Sequence, residues 1–229
     1  YLDSARESPW GKTQRDQKKG LEFDKKEYDV IDEYCKSKKI LWSASAWDID
    51  SQKFLGQFNL SFNKVASPML GHIPLINEIA NERKKTFIST GMSSMSDIEK
   101  AVKIFKLSKC KFVLMHSVSL YPCEEKLLNL NFIKTLKKKF NCEVGYSGHE
   151  SSVSPTISAF FLGADYIERH ITLDRANWGT DQAASLAEVG MANLSGSLRK
   201  IPTTLGNGFK KYLNEEKNVS KKMRYWENT

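Results

Sequence analysis

The apolar positions of this chain fall into short segments that alternate between two spacings. Stretches with apolar residues three and four apart have the helical period, and between them lie short runs of apolar and β-branched residues of strand character. Leu21 to Lys38 has helical spacing at Tyr28, Ile31, Tyr34 and Cys35, and KILWSASA, Lys39 to Ala46, reads as a strand. Further helices are expected over Asp50 to Phe58, Ile73 to Arg83, Ser96 to Lys106, Leu128 to Lys139 and Ser154 to Gly163, with a last one inside Leu186 to Leu205. Further strands are expected over Phe62 to Ser67, Lys85 to Gly91 and Lys111 to Ser117, in EVGYSGHE (Glu143 to Glu150) and in DYIERHITLD (Asp165 to Asp174). Ser96 with Glu99 fits a Ser-x-x-Glu capping box for its helix. Residues 1–20 are polar and read as an extended loop, in which Trp10 and Gly11 mark an ordered flap. Residues 206–229 read as a C-terminal tail of the same single domain, 1–229, with the β/α units between at 21–205.

Alternation of parallel strands with helices implies an open doubly wound sheet or a barrel. Small polar residues gather at the C-terminal end of every expected strand: Ser43 and Ser45, Lys64 and Ser67, Ser89 and Thr90, Ser117 and Ser119, Ser147 and His149, His170 and Thr172. An open sheet concentrates its site at one switch point, whereas a barrel draws on all of its strand ends. The pattern therefore favours an α/β fold of the (β/α)8 TIM barrel kind, of which about six β/α units are legible here.

Composition narrows the picture. At 229 residues and 40% hydrophobic, the chain can bury one α/β domain. It has no run of 18 apolar residues, so no helix is expected to cross a membrane. It opens on YLDSARESPW, without an initiator Met or a secretory pattern, so the natural N-terminus is expected upstream. Its four cysteines form no C-x-x-C pair and read as reduced cytoplasmic thiols, which makes the N-x-S sequons at Asn59, Asn193 and Asn218 chance matches. The net charge of +8 comes partly from Lys134 to Lys139, interleaved with Phe132, Ile133, Leu136 and Phe140. That is the pattern of a solvated helix face rather than a nucleic-acid surface, although a basic balance steers small anions.

The candidate chemistry centres on two histidines. His149 and His170 stand at equivalent points of two successive strands, with Ser147 on the face of His149 and Glu168 on the face of His170. Each taken alone reads more readily as a satisfied polar residue at a barrel rim. Their repetition, with a helical crossover between, favours a pair of metal ligands at one end of a parallel sheet. Two protein nitrogens leave other positions to water or substrate, as suits a divalent Lewis acid better than a closed structural zinc. Ser45, Ser67, Ser89 and Ser147 with Lys64 make a phosphate cradle of neutral donors around one point charge, although each serine alone is an ordinary strand-end residue. No GxGxxG, Walker or Gly-x-Ser-x-Gly sequence supports nucleotide or acyl-enzyme chemistry. Together these residues point to an anionic phosphorylated substrate and a carbonyl to be polarised.

The runs VGYSGHE, YIERHITLD and WGTDQAAS, in that order, resemble the sialic acid (N-acetylneuraminate) synthase family with its legionaminate and pseudaminate relatives. SPWGKT followed by LEF, WSASAWD, KVAS, FISTGM and HSVSLYP extend the likeness from about Ser8 to the end of the chain. The resemblance implies a (β/α)8 barrel that condenses phosphoenolpyruvate with an open-chain N-acetylated aminosugar, N-acetylmannosamine-like, to give a nonulosonic acid and phosphate. It implies that His149 and His170 hold a Mn2+-type ion, with Mg2+ or Co2+ as alternatives. It implies that Ser45, Lys64, Ser67, Ser89 and Ser147 hold phosphoenolpyruvate, and that Ser119, Tyr121 and Asp181 position reactants and sugar hydroxyls. In the longer members a small antifreeze-like domain reaches a partner subunit's barrel, so the resemblance leaves a homodimer open for this chain. That domain, the first strand with its Glu and the second strand with its Lys have no counterpart here, so this stretch alone is expected to be inactive. Pro68 and Met69 stand where the family often has Gly and an acidic residue. The competing readings are another metal-dependent aldolase or synthase barrel, and a non-catalytic ligand-binding barrel.

Overall fold

The computed structural model describes residues 2–228; Tyr1 and Thr229, the ends of the expected domain, lie outside the described residues. Five parallel strands form its sheet in sequential order: β3 (Phe62–Val65), β4 (Lys85–Ser89), β5 (Phe112–Ser117), β6 (Glu143–Gly148) and β7 (Tyr166–Arg169). The helices between them are α4 (Ile73–Asn81), α5 (Met95–Leu107), α6 (Phe132–Phe140) and α7 (Ser154–Phe161), each one crossover long. Alternation along the strands decides what faces them. Val65, Ile88, Leu114, Val144 and Tyr146 point outward and are fully buried against helix residues such as Ile79, Phe105, Leu136 and Ala159.

The inner face shows how strongly this sheet curls. Neighbouring strands lie about 4.8 Å apart, so the edges of a flat five-stranded sheet would be about 19 Å apart. Yet Lys64 Nζ on β3 and Glu168 Oε2 on β7, from the two edges, lie 3.6 Å apart. The Phe87 and Tyr166 rings meet at 5.0 Å, and Lys85 Nζ donates to Tyr166 Oη at 2.6 Å. The sheet is thus a half-barrel with a filled interior.

A sixth strand is expected over 39–46, and the structure has none there. That segment runs beside β3 but pairs with it at one bridge, Ser45 with Lys64. The reason lies in its side chains. The Ser43 hydroxyl donates to the Phe62 carbonyl at 2.9 Å, taking an acceptor that a ladder N–H would use. Trp42 turns into a cluster with Tyr28 and Phe58, and its indole N–H donates to Asp32 at 2.9 Å. Tyr28 and Asp32 belong to α2 (Lys25–Lys38), whose cap is Asp24 with Glu27, and α3 (Ile49–Leu55) follows the segment.

Residues 5–21 are more ordered than a loop. They form an antiparallel pair, β1 (Ala5–Ser8) and β2 (Gly11–Thr13), and then α1 (Gln14–Leu21), which Thr13 and Asp16 cap reciprocally. The box expected at Ser96 and Glu99 lies two residues, about half a turn, too late. Ser94 caps α5, with its hydroxyl accepting from Asp97 N–H and the Asp97 carboxylate accepting from Ser94 N–H at 3.0 Å. Both pairs fit the same pattern, and the earlier one wins because Ser94 keeps extended dihedrals. The late helix is α8 (Glu188–Leu205), and the expected tail holds α9 (Asn214–Met223).

Candidate active site

All ten residues singled out in the sequence line one cavity of about 680 Å3 at the C-terminal ends of the strands. The sheet register brings the polar rungs together: Ser117 pairs with Ser147, and Ser147 with Glu168. Ser147 Oγ donates to Glu168 Oε1 at 2.7 Å, while Lys64 Nζ donates to Ser89 Oγ at 2.7 Å and lies 3.6 Å from Glu168 Oε2. Lys64, Ser89, Glu168 and Ser147 thus form one chain of contacts across the interior. Burial lowers the pKa of Lys64, against the opposing pull of Glu168. Ser45 reaches the same wall through its bridge with Lys64.

Beside this chain is a hydroxyl cradle built on Gly91. Its N–H donates to Ser117 Oγ at 3.0 Å and to Ser67 Oγ at 3.2 Å, and the two hydroxyls lie 3.2 Å apart. A Cβ at Gly91 would meet Ser67 Oγ at 2.8 Å and Ser117 Oγ at 3.0 Å, and would collide with Ser119 Oγ. Only glycine lets three hydroxyls converge there. The Ser119 hydroxyl is buried beside the Tyr121 phenol and makes no close hydrogen bond among the described residues, which leaves donor capacity for a bound anion.

The imidazoles meet on the other side of the cavity. The His149 and His170 ring centroids are 5.2 Å apart, and the Tyr121 ring packs against both, at 4.2 and 5.5 Å. His149 Nδ1 lies 2.7 Å from the Val118 carbonyl, which can only accept; the proton therefore sits on Nδ1 and the Nε2 lone pair is left over. Burial, and then the neighbouring His170, lower the pKa of His149 and favour the neutral form that ligates metals. Asp181 Oδ2 stands 3.8 Å from His170 Nδ1. Burial and the Asp181 charge push the Tyr121 phenol pKa up, so it remains a donor.

Among the described residues no cluster of three or more His, Cys, Asp and Glu side chains has the geometry of a closed metal site. The donors still fit a divalent ion in an open site. An imidazole pinned through Nδ1–H to a carbonyl is the arrangement metal-bound histidines use, and the paired rings lie at the cavity wall.

Three participants escaped selection from the sequence. Glu168 stands one strand step before His170 on the same face, and that spacing was the available signal. Ser117 was noted only as a strand-end polar residue, and its contact with Gly91 is visible only through the cradle, since nothing in FISTGM or HSVSLYP says that these segments touch. Gln14, Gln17 and Lys18 of α1, with Trp47, close the far wall of the cavity.

A parallel half-barrel that gathers a lysine, a serine cradle and paired imidazoles at its strand C-termini falls in the class of β/α barrels that carry their sites at that end of the sheet. Within that class the chain belongs to the NeuB family, which it matches over residues 3–210. It is 40% identical over 179 residues to the N-acetylneuraminate-9-phosphate synthase of Drosophila melanogaster, covering 77% of this chain and 48% of that protein. It is 31% identical over 204 residues to the N,N'-diacetyllegionaminic acid synthase of Campylobacter jejuni, covering 87% of this chain and 61% of that protein. The chain therefore spans about half to three fifths of these curated relatives. Among solved structures it resembles the N-acetylneuraminic acid synthetase of Leptospira borgpetersenii, at TM-score 0.79 and 33% identity over 90% of this chain and 73% of that one. A 3-deoxy-D-arabino-heptulosonate 7-phosphate synthase of Thermotoga maritima, at 13% identity and TM-score 0.70, shares the fold.

Proposed function

We propose that this chain carries the greater part of the active site of a synthase that joins phosphoenolpyruvate to an open-chain N-acetylated aminosugar, releasing phosphate. The observation that carries the reading is the shared cavity, in which the Lys64 and serine cradle faces the imidazole pair. The chain's membership of the NeuB family and its likeness to the fly and Campylobacter synthases support it.

In this reading Lys64, Ser45, Ser67, Ser89 and Ser147 hold the carboxylate and phosphate of phosphoenolpyruvate. His149 and His170 hold a divalent ion of the Mn2+ type, which when bound supplies Lewis acidity to the acceptor aldehyde. C3 of phosphoenolpyruvate forms the new bond to the aldehyde carbon, water adds at C2, and phosphate leaves. The positive charge developing at C2 is met by Glu168, a carboxylate that Lys64 and Ser147 hold in place. Tyr121 donates through its phenol and Asp181 accepts from acceptor hydroxyls; both line the cavity beside the imidazoles. Ser119 adds a donor at the cradle, and Pro68, also in the wall, leaves the acceptor contact there apolar.

The acceptor is an N-acetylmannosamine-like hexosamine. The fly relative's name, a 9-phosphate synthase, makes its 6-phosphate the first to try beside the free sugar. The test is phosphate release by the full-length protein from phosphoenolpyruvate with Mn2+ and each acceptor. Release that depends on acceptor and is lost in His149→Ala supports the reading. No release with any N-acetylated hexosamine overturns it.

A further inference from the structure

The two histidines lie beyond the last paired rung of their strands. β6 and β7 pair up to Gly148 with Arg169, so the ladder stops one residue before each imidazole. Something other than the ladder must fix their spacing. The residue after His149 and the residue before His170 point to the opposite, outward face, and there they meet.

Arg169 Nη1 lies 3.1 Å from Glu150 Oε1, with both side chains at 1% exposure or less. Arg169 Nη2 donates to the Glu150 carbonyl, so one guanidinium holds both the side chain and the main chain of the residue next to His149. Nη1 also donates to the Ser152 carbonyl at 2.9 Å and contacts Thr156 Oγ1 of α7 at 2.9 Å. The Glu150 carboxylate accepts from Tyr146 Oη and Thr156 Oγ1, each at 2.8 Å. Gly148 is bare because this carboxylate folds back over it: a Cβ there would stand 2.7 and 2.9 Å from the carboxylate oxygens. That accounts for the order Gly148, His149, Glu150, in which the space above one residue belongs to the acid two places on.

Stability does not explain such a pair. A sealed ion pair gains little over apolar residues of the same volume, because both charges leave water. What it does supply is a fixed, two-point geometry. We propose that Glu150 and Arg169 are positioning residues: a clamp on the outer face of β6 and β7 that sets the spacing of the His149 and His170 imidazoles for a divalent cation. The inference rests on the metal role proposed above for the two histidines.

The experiment uses the full-length protein stripped of metal by chelation, with Mn2+ alone and inorganic phosphate alone as probes. Arg169→Lys keeps the charge but cannot fork; Glu150→Gln keeps the shape and one acceptor oxygen but drops the charge, and serves if the first variant fails to fold. Either is expected to weaken Mn2+ binding by about tenfold or more, the usual effect of disturbing a ligand's outer support. Phosphate affinity, which reads the cradle on the inner face, is expected to stay within about twofold. A purely structural role would move both affinities together, and that outcome overturns the clamp, as does Mn2+ affinity unchanged in both variants. A wild-type protein that binds no Mn2+ overturns the metal role itself and the clamp with it, so the two failures are told apart.

Discussion

Strand β7 contributes to two acid–base pairs, one on each face: Arg169 with Glu150, just past β6, and Glu168 with Lys64 of β3. On the outer face Arg169 and Glu150 are sealed under α7, 3.1 Å apart, with every carboxylate oxygen already in use. On the inner face Lys64 reaches Glu168 at 3.6 Å, with 16% and 38% of the side chains exposed to the cavity. Arginine is the cation for a fixed fork, and lysine for a movable point charge. The contrast separates scaffold from chemistry across the two faces of β7: the outer pair is sealed away from any ligand, whereas the inner pair is loosely joined and can exchange partners.

The largest effect should follow from breaking the outer pair. Arg169→Met leaves the Glu150 charge buried and unpaired, and should cost about 3–5 kcal/mol in a denaturant titration. Lys64→Met loses the pair but also relieves the burial of the ammonium, so it should change stability by much less than Arg169→Met. It should still remove a charge-assisted contact worth about 1.5–3 kcal/mol of phosphate affinity. Equal stability losses in the two variants would erase the distinction drawn between the faces.

Next in size is the floor of the cradle. Gly91→Ala places a Cβ 2.8–3.0 Å from two hydroxyls and into a third. Those hydroxyls come from two segments, the turn after β3 and the end of β5, so they cannot all retreat together. A cost of about 1–3 kcal/mol is expected from the overpacking. Phosphate affinity should fall while Mn2+ affinity holds. A parallel fall in both would mean that cradle and imidazoles are one mechanical unit.

How far the site was legible follows from where each residue's signal lies. The side chains at strand ends could be placed because period-two alternation sends Ser147, His149, Glu168 and His170 to one face regardless of the fold's details. The cradle could not, because the meeting of Gly91 with Ser67, Ser117 and Ser119 is set by curl, and curl leaves no local pattern. The segment 39–46 is as apolar as a strand, and Ser43 and Trp42 undo it through side-chain bonds that periodicity does not register. The α5 cap was displaced because Ser94 and Ser96 both stand three residues before an acid. The outer clamp was hidden for a different reason: Glu150 and Arg169 are charged residues flanking the motif histidines, and charge at a strand end reads as exposure until the helix above is placed.

The smallest predicted effect is one of pH, and it tests whether Lys64 is poised as described. Burial lowers its pKa in the folded chain below the ordinary lysine value of about 10.4. Between these two values the unfolded chain holds a proton that the folded chain has released, so stability should rise with pH across that window. Lys64→Met lacks the group, and the stability difference between wild type and variant should shift in favour of wild type as pH climbs through it. Phosphate binding should run the opposite way: it needs the ammonium, so affinity should fall as pH rises through the lowered pKa. Lys64→Arg should postpone that fall, because the guanidinium stays charged. Matched titrations of stability and phosphate affinity decide the point. If both are flat up to the ordinary lysine range, the ammonium is solvated after all, and the inner pair is an ordinary surface contact.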